Sequence, residues 1–331
     1  MTSEAELDQR ARAGDAQAQF ALGRMLLDGP RAAVDGGRGI GLIEQAAASG
    51  NGDATAMIAL FDAMGISGPP DWERALDRLA LAAERGSSSA RLQLGLLARV
   101  APRQERPASH GGSSWGALRG RVDLPRAFQS GAFKALSEQP RVRVIEQFAS
   151  PAECRWLIER TRERLRPANV INPATGALGY TAGRSNSGAE FQVPDMDLVI
   201  EMIRARISAA TRLPLPLFEP TQVLHYAPGQ EFRPHFDFLD PANPAYGEEL
   251  RRGQRVATFL IYLNDRFVGG ETDFPEAGLR FRGRTGDAIF WANVGPDGRP
   301  DPLTRHAGLP PASGEKWILS QWIRGRPGQA R

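Results

Sequence analysis

A single cysteine, Cys154, stands in 331 residues, so no internal disulfide can form. It lies among Arg155, Trp156 and Leu157 in a stretch that reads as helix, where it is expected to pack rather than react. No run approaches the roughly 20 apolar residues that a membrane span needs. The opening MTSEAELDQR has neither the positive flank nor the apolar run of a secretory signal. The protein is therefore expected to be cytoplasmic, with no membrane partner. An excess of one charge is lacking too, since 41 basic residues face 38 acidic ones. The basic residues fall in mixed clusters rather than on one face, so no nucleic-acid partner is expected. What remains is an ordinary globular composition, 41% hydrophobic and 24% charged, with a length that suggests two domains.

The first hundred residues repeat. Gly14, Gly50 and Gly86 are each 36 residues apart, as are Ala11, Ala47 and Ala83, then Ala18, Ala54 and Ala90, and Leu22, Ile58 and Leu94. A glycine followed four residues later by alanine predicts a helix end, a turn and a closely packed new helix. Apolar residues at helical spacing supply a face that each unit hides by stacking on its neighbours. The period and the alanine–glycine pattern resemble Sel1-like repeats, relatives of the tetratricopeptide repeat, over roughly residues 5–100. That resemblance implies an N-terminal α-solenoid of helical hairpins over residues 1–100 that recruits a protein or peptide.

Residues 101–140 are expected to be a linker, because APRQERPASHGGSSWGALRG is rich in proline, glycine, serine and arginine. His110 within it reads as a solvated loop histidine. A second domain is expected over 141–331. RVRVIEQF alternates and predicts a strand, and Ser150-Pro151-Ala152-Glu153 predicts a capped helix running to about Leu165. A further helix is expected from Asp195 to Thr211. From Thr221 onward TQVLHYA, ATFLIYLN, LRFRG, DAIFWANV and KWILSQWI read as short strands broken by turn residues, which indicates a sandwich or barrel.

Few donors in this region suit a transition metal. His235 and Asp237 flank Phe236 in RPHFDF, and residues i and i+2 of a strand share a face. His306 in LTRHAGLP is the third donor. Two imidazoles and one carboxylate leave coordination positions open, as in oxygen-activating iron(II) proteins. Lys316, ten residues after His306, begins an apolar strand. A 2-oxo dicarboxylate chelating the metal needs such a buried cation for its far carboxylate. His225 points to the other face of its strand from Tyr226 and is expected to be structural. Asp287 is expected to shape a turn.

Residues 221–324 resemble the catalytic domain of prolyl 4-hydroxylases within the 2-oxoglutarate- and iron(II)-dependent oxygenases. The pieces that carry the likeness are YAPGQEFRPHFD, RVATFLIYLND, GGETDFP, GDAIFW, RHAG and GEKWILSQW, in that order. The resemblance implies an α + β multidomain protein whose C-terminal part is a double-stranded β-helix, or jelly roll, with flanking helices. It implies His235, Asp237 and His306 as Fe(II) ligands and Lys316 as the partner of the 2-oxoglutarate C5 carboxylate. Tyr226, Tyr262 and Thr272 become candidates for cosubstrate binding, and Arg255 and Trp322 for the substrate side. Phe232 stands where the family often has a tyrosine, which weakens the case for proline. Arg184 opens an RSNS segment similar to the RxS loop upstream of the core in these hydroxylases, which reads either as a loop that closes over substrate or as a solvated segment. The insertion from Phe238 to Gln254 could narrow the site.

The expected activity is hydroxylation of a residue, proline first, in a protein or peptide, with O2 as cosubstrate and ascorbate as a candidate reductant. Alternatives are hydroxylation of a free amino acid or small metabolite, a catalytically inactive repeat scaffold, and a cupin-like zinc or manganese protein.

Overall fold

A glycine every 36 residues marks where one helix must stop and the next begin. A computed structural model of the protein describes residues 3–100, 114–168, 170–171, 178–179 and 183–326. The chain divides into two units, Met1–Gln129 with Phe191–Arg206, and Ser130–Glu190 with Ile207–Arg331.

The first unit opens with helices α1 (Glu4–Arg12), α2 (Ala16–Leu26), α3 (Ala32–Ala48), α4 (Gly52–Met64), α5 (Trp72–Glu84) and α6 (Ser88–Val100). Gly14, Gly50 and Gly86 have φ of 86°, 90° and 93°, the left-handed conformation that glycine adopts without a side-chain clash. Their amides donate to Ala11, Ala47 and Ala83. The next amides, of Asp15, Asn51 and Ser87, reach back to Arg10, Ala46 and Ala82. This pair of bonds ends each helix in the same way. The side chains of Asp15, Asn51 and Ser87 then accept from the amides of Ala18, Ala54 and Ala90 and start the following helix. Leu22, Ile58 and Leu94 are buried at equivalent positions. The sequence period is thus a period of local structure.

Residues 101–113, including His110, lie outside the described residues. The rest of the expected linker is helical at first, with α7 (Ser114–Gly120) and α8 (Leu124–Ala127). Trp115 packs beneath the Arg91 guanidinium at 5.4 Å, and Arg119 donates to Asp77 at 2.6 Å and also pairs with Glu73. One aromatic and one arginine anchor a segment whose composition reads as loop.

In the second unit β1 (Lys134–Ser137) and β2 (Val142–Ile145) precede α9 (Pro151–Thr161). Ser150 and Glu153 exchange side-chain and backbone bonds in the expected capping box, worth roughly 1 kcal/mol. Cys154 is buried in α9, and burial pushes its thiol up to about 12, so it packs as expected. Next come β3 (Arg166–Pro167), β4 (Val170–Ile171), β5 (Leu178–Gly179) and β6 (Ser187–Glu190). Helix α10 (Leu198–Thr211), whose residues up to Arg206 belong to the first unit, starts where Asp197 accepts from the Ile200 amide, three residues later than expected.

The remaining elements are β7 (Gln222–Tyr226), β8 (Phe232–His235), α11 (Gly247–Arg251), β9 (Arg255–Tyr262), β10 (Phe267–Gly269), β11 (Thr272–Phe274), β12 (Leu279–Phe281), β13 (Ala288–Ala292), β14 (His306–Gly308), β15 (Pro311–Gly314) and β16 (Lys316–Arg324). An eight-stranded sheet runs β1-β2-β13-β9-β16-β7-β6-β3, and a four-stranded sheet runs β12-β11-β14-β8. The paired strands are antiparallel. Leu260, Ile289, Trp291 and Ile318 of the large sheet share one apolar core with Phe274 of the small one. Phe274 meets Trp291 edge-on at 5.2 Å. The protein is therefore α + β, with its antiparallel strands in a jelly roll.

Candidate metal centre

Strand alternation decides which side chains meet between the two sheets. Along β16, Lys316, Ile318, Ser320 and Trp322 face a pocket, and Tyr226 of β7 and Thr258 of β9 join them there. The small sheet closes the other side. His306 of β14 is the direct register partner of His235 on β8. Cross-strand partners present their side chains on one face, which brings together two histidines 71 positions apart in the sequence.

The third donor arrives differently from the expectation. β8 ends at His235, and Asp237 lies in a bend beyond it. The i, i+2 argument for one strand face therefore does not apply. The carboxylate nonetheless converges, with Oδ1 3.7 Å from His235 Nε2 and Oδ2 3.5 Å from His306 Nε2. Oδ2 accepts a 2.6 Å hydrogen bond from Thr258, whose Oγ1 in turn accepts from Asn293 at 2.9 Å. The bend leaves Phe236 39% exposed, beside Phe238.

Both imidazoles are held from behind. His235 Nδ1 lies 2.8 Å from the Arg233 carbonyl, and His306 Nδ1 lies 3.0 Å from that of Thr304. A carbonyl only accepts, so each Nδ1 carries a hydrogen, which fixes the ring and leaves Nε2 as the atom that would meet a metal. Burial, together with neighbouring His306, holds His235 well below its ordinary range and so neutral. Burial pushes the Asp237 carboxyl up, but His306, His235 and the Thr258 hydroxyl outweigh it, and the group stays ionised below its usual range. The Phe232 ring stacks on His235 at 3.5 Å and 15°, and the Arg184 guanidinium lies 4.5 Å from Phe232.

Lys316 is fully buried, and its Nζ has no hydrogen-bond partner among the described residues. Burial pulls its pKa down to about 7, with Glu271 only partly opposing. The ring of its register partner Tyr226 is 4.9 Å away. Gly308 makes room for that tyrosine, since a Cβ there would stand 3.0 Å from the hydroxyl.

Of the other expected residues, Thr272, Trp322, Phe232 and Arg184 line the pocket. Tyr262 stands behind Thr272. Its hydroxyl is 2.8 Å from Thr272 Oγ1 and donates to the Phe281 carbonyl at 3.0 Å. Arg255 is outside the pocket lining, bonded to both carboxylate oxygens of Glu219 and stacked on Trp322 at 3.8 Å. His225 faces away, 3.3 Å from Glu315 and 4.4 Å from the Trp317 ring, as its strand parity predicts. Asp287 accepts from the amides of Gln147 and Arg284, which suits a turn former. Thr258 and Asn293 were not among the expected residues. The available signal was that Thr258 shares strand parity with Leu260 and Tyr262.

A buried ammonium without a partner costs several kcal/mol unless an anion meets it. Its presence in one pocket with two histidine Nε2 atoms and a carboxylate fits a metal-chelated dicarboxylate. Jelly-roll fold, donor set and buried Lys316 together define a non-haem iron(II) protein of the oxygen-activating class.

The comparisons are specific. Residues 221–324 match the 2OG-Fe(II) oxygenase superfamily. Probable prolyl 4-hydroxylase 10 of Arabidopsis thaliana is 34% identical over 209 residues, 57% of this chain and 70% of that protein. Prolyl 4-hydroxylase subunit alpha-1 of Mus musculus is 36% identical over 189 residues. The viral collagen prolyl hydroxylase of Paramecium Bursaria Chlorella virus-1, solved with 2OG, is 32% identical, covers 56% of this chain and 96% of its own, and overlays with a TM-score of 0.42. The chain belongs to the 2OG-Fe(II) oxygenase superfamily and is prolyl 4-hydroxylase-like. Membership brings Fe(II), 2-oxoglutarate and O2 as cofactor and cosubstrates. The matched region spans 57% of this chain and about a third (35%) of the length of the mouse relative.

Proposed function

We propose that the protein is a 2-oxoglutarate-dependent dioxygenase that hydroxylates a residue, proline first, in a protein or peptide. The observation that carries this reading is the buried, unpartnered Lys316 in the same pocket as His235, Asp237 and His306. In this reading the two Nε2 atoms and the Asp237 carboxylate hold Fe(II), and Lys316 receives the C5 carboxylate of 2-oxoglutarate. Bound iron with its two cosubstrates supplies the oxidation, in which 2-oxoglutarate yields succinate and carbon dioxide while one oxygen atom enters a C–H bond.

The chain's own residues do the rest. Tyr226, beside Lys316, and Thr272, in the same pocket lining, orient the cosubstrate, and Tyr262 acts through Thr272. Leu224, Leu260 and Ile318 give the pocket an apolar wall that keeps water from the reacting atoms. Arg184, Phe232 and Trp322 stand on the substrate side, with Arg255 setting the tilt of the Trp322 ring. Residues 1–100 are read as a Sel1-like solenoid that recruits the substrate, which the three repeated turns at Gly14, Gly50 and Gly86 support. Residues 141–331 are read as the oxygenase domain. Ascorbate as reductant and a cytoplasmic location belong to the same proposal.

Phe232 favours one second reading, hydroxylation of a free amino acid, because the hydroxyl that relatives often carry there is missing. Purified protein with Fe(II), 2-oxoglutarate, O2 and proline-rich peptides should form succinate together with a peptide 16 mass units heavier. Succinate formed with free amino acids alone would move the assignment to the second reading. No succinate under any of these conditions would overturn both.

A further inference from the structure

We infer that Thr258 and Asn293 form a hydrogen-bond relay of fixed direction that positions Asp237 as a metal ligand; this rests on the proposed function. All three are buried, with relative exposures of 1%, 0% and 3% for Thr258, Asn293 and Asp237. The direction follows from donor and acceptor chemistry. An ionised carboxylate only accepts, so the 2.6 Å bond to Oδ2 takes the hydrogen of Thr258. The atom 2.9 Å from Thr258 Oγ1 must therefore donate, and that atom is Asn293 Nδ2. Asn293 Oδ1 has no hydrogen-bond partner among the described residues, so the donation to Thr258 is what orients the amide.

The need for a relay comes from where Asp237 sits. β8 stops at His235, so ladder pairing does not set the Asp237 side chain. Two other strands supply the restraint. Thr258 lies within β9, and Asn293 follows the end of β13, where its amide donates to the Val256 carbonyl at 2.8 Å. The hydroxyl engages one carboxylate oxygen and leaves the other without a competing donor from this relay. A metal held by His235, Asp237 and His306 would meet the carboxylate in the orientation that this bond fixes. Thr258 and Asn293 are positioning residues, acting through Asp237.

The test uses cobalt(II) as the probe, titrated into the metal-free full-length protein and read from its visible absorption. Far-UV circular dichroism checks that each variant is folded. Thr258→Val keeps the shape and removes the hydroxyl. It should weaken cobalt binding by about ten-fold or more, the range for loss of an outer hydrogen bond to a ligand, and change the band shape. Thr258→Ser should restore both to within about three-fold, and Asn293→Leu should fall between, because the hydroxyl stays but loses its orienting donor. Thr258→Val with wild-type affinity and spectrum would overturn the relay. A serine variant as weak as the valine one would also overturn it, showing that the threonine methyl rather than the hydroxyl matters. A wild-type protein that binds no cobalt would instead contradict the proposed metal site.

Discussion

Lys316 is one of only two lysines in the chain, where every other basic side chain is arginine. An ammonium is a compact point charge that shifts its pKa readily on burial, which a guanidinium does not. Its titration gives a signed prediction. The unfolded lysine keeps its proton to about pH 10, whereas the buried one, faced by Tyr226, Tyr262 and Glu271, keeps it only to about 7. Between those values the unfolded chain holds the extra proton, so the ligand-free protein should gain stability as pH rises from about 7 to about 10. Lys316→Met should remove that slope and raise the thermal midpoint at pH 7, while weakening 2-oxoglutarate binding about 10- to 100-fold. Binding by the wild type at pH 8 should draw in a proton, read by calorimetry in two buffers of different ionisation heat. Unchanged affinity in the methionine variant would contradict the assigned role. The histidines separate in the same way: His235→Ala should abolish metal binding, whereas His225→Ala should keep it within about two-fold, since His225 lies on the far face of β7. Equal losses in metal titrations would show that the wrong histidine had been chosen.

Elements show which parts of the design a linear sequence carries. The repeat was legible because the left-handed turns at Gly14, Gly50 and Gly86 use local chemistry, a glycine and a capping side chain. Gly50→Ala should therefore cost about 1 kcal/mol in denaturant unfolding, whereas Gly37→Ala, inside α3 with open space around its Cβ, should stabilise by about 0.5–1 kcal/mol. Equal effects of the two would remove the conformational argument for the repeat. The metal donors were legible by residue type, and the pairing of His235 with His306 follows from the register of β8 and β14. The end of β8 was not legible, because FRPHFDF alternates well past the point where pairing stops. Thr258 and Asn293 were hidden for a related reason. A threonine and an asparagine in or beside apolar strands look like ordinary strand residues until Asp237 folds back against them. Helix α7 was missed because its anchors, Trp115 and Arg119, lie in a run dominated by turn formers.

The molecule joins a helical array with three repeated turns to an oxygenase fold whose pocket lies between two sheets. The buried Lys316 and a three-donor set in that pocket give a single prediction for the whole protein. The most direct measurement mixes the metal-free protein anaerobically with Fe(II) and then with 2-oxoglutarate, recording the visible spectrum before oxygen is admitted. A weak charge-transfer band should appear only when both are present, disappear in the Lys316→Met variant at moderate 2-oxoglutarate, and be followed by succinate once oxygen enters. Absence of both the band and succinate in the wild-type protein would contradict the central claim.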